Sequence, residues 1–207
     1  MPARTSVATR SSPQYKTDAA QGGLVITRWQ SLLVVGCVLI CSPIVRAQNQ
    51  TPKTIPDSII FVWKDVTHDF IALAEAMPED KWNFAPTQGE FKGVRTFGEQ
   101  IKHVACGNEA WAKQMAGEKT PERCDLGGPN PAKTRGEILS YLRESFTMMD
   151  KAIAETNPDN LLQPNKGRYW GPNRLSALTA AVWHVSDHYG QLIEYLRMNG
   201  VVPPASR

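Results

Sequence analysis

The sequence predicts an all-α fold, a four-helix bundle. Three observations carry that expectation. Four stretches repeat apolar residues at spacings of three and four, and two of them open on a Thr-x-x-Glu signature. No stretch of useful length alternates apolar with polar residues as a half-buried strand would. Pro, Gly and charged residues fill the connections, so the helices have chemical stops.

The first helix shows the pattern most plainly. Between Asp57 and Met77, the residues Ile59, Trp63, Val66, Phe70, Leu73 and Met77 form one stripe, with Asp57 as the expected cap and Pro78 as the stop. His68 falls on the opposite side beside Lys64 and Asp65, and reads as a solvated histidine. Residues 78–95 form a long connection that Trp82, Phe84 and Phe91 are expected to pin to the bundle.

The second helix should start at the capping box Thr96-Phe97-Gly98-Glu99 and run to about Gly117. Phe97, Ile101, Val104, Trp111 and Met115 face inward; Lys102, Glu109 and Lys113 face water. Asn108 falls among the apolar positions and needs a partner there. His103 sits at the edge of that face, beside Glu99 and Gly107. Cys106 is placed on the side away from the core and Cys124 in the crossover 118–133. The loop has the reach to fold back, so a disulfide and a pair of free thiols both stand open.

A second capping box, Thr134-Arg135-Gly136-Glu137, begins the third helix. Ile138, Leu142, Phe146, Met149 and Ile153 mark its stripe to an end near Thr156, with Met148 and Met149 read as core filler. Residues 157–175 connect it onward, and Tyr169 and Trp170 are candidates for lining a pocket. The fourth helix is expected from about Ser176 to Asn199, with Gly200 just past its end. Ala177, Ala181, Val185, Leu192 and Leu196 define its apolar face. His184 and His188, four residues apart, lie within or beside that face, and Gln191 and Tyr195 continue their row.

Ahead of the bundle, Arg28 precedes an apolar run from Leu32 to Val45, and Val45-Arg46-Ala47 resembles a small-x-small cleavage site. This is the layout of a secretory signal. The expected organisation is therefore an N-terminal extension and signal over 1–47 and one folded domain over 48–207. The expected location is secreted or periplasmic after cleavage near Ala47. A lipid anchor at Cys37, from the lipobox-like Val34-Val35-Gly36-Cys37, is the less favoured route. The run is too short and too interrupted by Pro43 for a stable membrane span.

Of the 23 Lys+Arg and 20 Asp+Glu, residues 1–47 hold five bases and one acid, which leaves 18 bases against 19 acids in the domain. With no basic stripe and interleaved aromatics, nucleic acid is not an expected partner.

Two imidazoles turned into a core are costly unless something satisfies their nitrogens. A divalent metal would do so: His-x-x-x-His presents two nitrogens to one ion, and His103 on another helix would supply a third, leaving positions open for water. Val185 follows His184 where the HExxH zinc proteases carry glutamate, so that class is not the expected one. The Glu-x-x-His ligands of di-iron bundles and the Cys-x-x-Cys-His of attached haem are also missing. No residue is identifiable as the general base; Asn108, Tyr189 and Gln191 are the nearest candidates for supporting groups. The alternative is a non-catalytic binding or interaction bundle with structural histidines.

The segments FGEQIKHVACGNEAW and HVSDHYGQLIEYLRMNGVVPPAS resemble the DinB family of four-helix bundles. Its superfamily includes the YfiT-like metal-dependent hydrolases and the bacillithiol- and mycothiol-dependent transferases. The resemblance spans about Ile55 to Ser206 and is most specific in the fourth helix and its PPAS tail. It implies a divalent metal, zinc or nickel, held by His103, His184 and His188. It also implies hydrolysis or group transfer on a small molecule whose identity stays unknown. Bundles of this kind commonly pair, so a homodimer is a further expectation.

Overall fold

The computed structural model describes residues 51–165 and 171–207. The secretory signal, the Ala47 cleavage, the Cys37 anchor and the pocket-lining roles of Tyr169 and Trp170 lie outside the described residues. Four long helices form the domain: α1 (Ile55–Ala76), α2 (Phe97–Ala116), α3 (Arg135–Ala154) and α4 (Arg174–Met198). Among the described residues there is no strand, only an isolated bridge between Pro164 and Asn173. The expected all-α four-helix bundle is the observed one. No described helix is long and apolar enough to cross a membrane.

The helices pack in the ring order α1–α4–α2–α3, which sets α1 diagonal to α2 and α3 diagonal to α4. The α1–α2 and α3–α4 connections make the two diagonal steps, and the α2–α3 crossover joins neighbours. For the site, the important consequence is that α2 lies against α4.

Each helix begins on a side-chain cap. Thr96 and Thr134 form the expected capping boxes with Glu99 and Glu137. At α1 the cap is Thr54 rather than Asp57. Asp57 is instead the third helical residue, and its carboxylate accepts from the Thr54 amide at 3.1 Å, so the helix starts earlier than its stripe suggests. Asn173 caps α4 by accepting from the Ser176 amide. Arg174, the first residue of α4, donates to the carbonyls of Met115 at 3.0 Å and Ala152 at 3.2 Å, and so satisfies carbonyl ends of both α2 and α3.

The predicted stripes fill the core, with Phe70, Leu73, Ile101, Val104, Leu142, Met149, Leu192 and Leu196 all fully buried. Three expectations differ. Phe91 is 38 % exposed, while Trp82 is buried and Phe84 half-buried. Met148 is 40 % exposed, one position off the stripe that buries Met149. Cys106 is fully buried, because the crossover after α2 folds over the helix face that points away from the bundle. His68 is exposed, as its helix face requires.

Candidate metal centre

α2 brings His103 to its seam with α4, where His184 and His188 stand one turn apart. The three rings meet edge to face, with centroids 5.0 Å apart for His103–His184, 4.8 Å for His103–His188 and 4.5 Å for His184–His188. One nitrogen from each lies within 4.8 Å of the other two, and the Nε2 atoms of His103 and His184 are 3.1 Å apart. Two ligands about 2.0–2.1 Å from a tetrahedral zinc are separated by roughly 3.3 Å. The His103–His184 pair thus already has the spacing of two nitrogens sharing one ion. His188 is buried, and the other two are partly so.

Burial sets the protonation. It pushes His184 down to about 2, with further repulsion from His188, His103 and Arg95. It pushes His188 down to about 4, again with His103 and Arg95 contributing. His103 is lowered by burial against the opposing effect of its bond to the Cys124 carbonyl. All three are therefore neutral near pH 7, the form that ligates metal.

His103 is oriented from behind. Its Nδ1 lies 2.6 Å from the carbonyl oxygen of Cys124. A carbonyl can only accept, so Nδ1 carries the proton and Nε2 keeps its lone pair toward His184. The Nδ1 atoms of His184 and His188 are buried with no protein partner. Gly107, one turn along α2 from His103, makes room for the second ring: a Cβ there would sit 3.0 Å from His184 Cε1 and 3.1 Å from Trp111 Cζ3.

A cavity of about 500 Å³ is lined by Arg95, Glu99, Gln100, Lys102, Asp125 and Gln191 among others, and by none of the three histidines. Gln100 and Gln191 each lie three residues from a histidine, on α2 and α4, and Gln100 donates to Gln191 at 2.9 Å. Arg95 donates from Nε and Nη2 to the Asp125 carbonyl, at 3.0 and 2.7 Å.

The supporting candidates divide. Gln191 lines the cavity, three residues on from His188. Asn108 is fully buried but turns to α3, where it donates to Ser145 Oγ at 3.4 Å. Tyr189 is raised by burial and by Asp69, a residue of α1, which places it toward that helix. Sequence reasoning missed Arg95, Gln100 and the Cys124 carbonyl. Gln100 stands three residues before His103 and was open to detection; a backbone carbonyl leaves no mark in a sequence. Cys106 and Cys124 form a disulfide and are not free thiols.

A sequence model of the DinB superfamily matches residues 63–192. Among solved structures, the chain is similar to a DinB-like protein from Bacillus cereus. The two are 17 % identical with a TM-score of 0.58, over 74 % of this chain and 98 % of that one. It is also similar to a conserved protein from Enterococcus faecalis, at 12 % identity and a TM-score of 0.52, over 70 % of this chain and 96 % of that one. At these identities the likeness is one of fold. No curated protein matches the chain.

Proposed function

The chain belongs to the DinB superfamily, and we propose that His103, His184 and His188 hold one divalent ion, zinc or nickel, in an exported protein that hydrolyses, or transfers a group on, a small molecule. The observation that carries this reading is the 3.1 Å approach of two Nε2 atoms in a cluster of three imidazoles that burial keeps neutral. The donor set suits such an ion: three neutral imidazoles, each with one nitrogen in the shared cluster, and no other ligand type.

When bound, the ion supplies Lewis-acid chemistry, polarising an oxygen or lowering the pKa of a water or thiol at its open positions. The chain's own residues prepare the site. The Cys124 carbonyl holds the proton on His103 Nδ1, and Gly107 lets His184 approach α2. Toward the cavity, Arg95 and the Gln100–Gln191 pair offer donors that can orient a carbonyl or anionic group of the substrate.

Export is supported by the basic-then-apolar layout before Ala47 and by a disulfide, a bond that persists in oxidising compartments. A low-molecular-weight cytosolic thiol is absent from such a compartment, which favours hydrolysis within the proposal.

The test is metal analysis of the full chain purified without a metal-binding tag. One ion per chain is expected, lost on substituting His103→Gln. A protein that contains no metal, and whose stability ignores added zinc and nickel, would overturn the reading in favour of a bundle with structural histidines.

A further inference from the structure

The disulfide and the metal cluster meet on α2. Cys106 follows His103 by three residues, so both side chains leave α2 on neighbouring turns of one face. That face is covered by the short 3₁₀ turn Cys124–Leu126 of the α2–α3 crossover. Cys124 is joined to Cys106 across a Cα–Cα distance of 5.3 Å, while its carbonyl accepts from His103 Nδ1 at 2.6 Å. A single residue thus holds the helix covalently through its side chain and orients the histidine through its backbone.

We infer that the Cys106–Cys124 disulfide is a positioning element of the metal site, clamping the Cys124 carbonyl against His103 so that Nε2 is the nitrogen presented to His184. The inference rests on the three-histidine reading above.

The turn is built around the clamp. Arg123 enters it in the left-handed region, at φ 58, although it carries a side chain. Gly128 leaves it at φ 71, and a Cβ there would lie 2.3 Å from Cys106 Sγ, so only glycine lets the chain pass over the sulfur. The Gly127 amide also donates to the Cys124 carbonyl, at 2.9 Å, and the Arg95 guanidinium holds the next carbonyl, that of Asp125. These bonds fix two successive carbonyls, the first on His103 and the second on Arg95. The turn is otherwise a three-residue element in a crossover with no longer helix of its own. Without the covalent link, only exposed or backbone contacts would keep the Cys124 carbonyl on the ring. Removing the outer partner of a ligating histidine costs metal affinity by roughly 10- to 100-fold.

The experiment compares the oxidised full chain with the C106S/C124S variant, in two measurements. Nitrogen NMR of the metal-free proteins at neutral pH reads the His103 tautomer. The wild type should show Nδ1–H alone, and the variant a mixture with Nε2–H. Competition of zinc against a chromophoric chelator should then show an affinity loss of about tenfold or more in the variant.

Trp63→Phe, which breaks the bond from α1 to Asp150 of α3, is the control for lost stability and should change neither readout. Should the variant fail to fold, the wild type is reduced with a phosphine, which takes the disulfide to two thiols and itself to the phosphine oxide with oxygen from water. The tautomer is then read on the intact sequence. An unchanged tautomer with zinc affinity within twofold of wild type would overturn the inference. A wild type that binds neither zinc nor nickel would overturn the parent reading instead, and the tautomer comparison alone would then decide the clamp.

Discussion

Gly107 shows how narrow the tolerances are at a single position. Alanine in an exposed helix interior is worth about 1 kcal/mol over glycine. At 107, however, the added Cβ meets His184 at 3.0 Å and Trp111 at 3.1 Å, so the ring must yield by a few tenths of an ångström. Gly107→Ala should therefore leave thermal stability almost unchanged while weakening zinc binding about tenfold, read by chelator competition. The histidines themselves predict a pH profile. His188 and His184 are held below their unfolded pKa of about 6.5. Between the folded and unfolded values the unfolded chain binds more protons, so stability rises with pH. The metal-free protein should be at full stability above pH 7 and lose it progressively from about pH 6.5 down to about 4, where His188 titrates in the fold. The loss assignable to His188 is roughly 3 kcal/mol. Urea unfolding across that range checks it, and His188→Gln should flatten the slope.

Among the helices, α2 is set in place by its first turn, and the means are specific. The Trp82 indole lies on Gly98 so closely that a Cβ there would fall 2.3 Å from Nε1, while the Gly98 amide donates to the Trp82 carbonyl at 3.0 Å. Arg135 at the start of α3 stacks over the same indole at 5.4 Å. Gly190 on α4 has nothing within 4 Å of its own hypothetical Cβ. The same substitution should therefore act in opposite directions: Gly190→Ala should stabilise by roughly 0.5–1 kcal/mol, and Gly98→Ala should destabilise by about 1–3 kcal/mol through overpacking. Thermal melts of the pair decide it, and equal signs would refute the argument. These cases also mark what was legible in advance. Helical period reports which side chains face the bundle, so the stripes, the capping boxes and the inward turn of His184 and His188 could all be read. It is silent about the outer face of α2, where a loop, not a helix, does the covering. The burial of Cys106 and the carbonyl behind His103 both belong to that outer face, so the period carries neither. Phe91 and Met148 failed for the converse reason: apolar residues in a connection or one step off a stripe need not be buried.

For the whole molecule, the ring order α1–α4–α2–α3 makes the α2–α4 contact a junction between helices far apart in sequence, and the three histidines lie along it. An ion held there would bind only the folded chain, because 81 residues separate His103 from His184. Such a ligand stabilises by mass action, about 2.7 kcal/mol at a free concentration 100 times its Kd. For a domain of this size each kcal/mol raises Tm by about 2–4 °C, so saturating zinc should raise it by roughly 5–10 °C. The rise should grow with the logarithm of concentration and vanish in His103→Gln, whose other two ligands sit on one helix and bridge nothing. Calorimetry over a zinc series measures it. Persistence of the shift in His103→Gln would locate the ion elsewhere and break the link between the seam and the site.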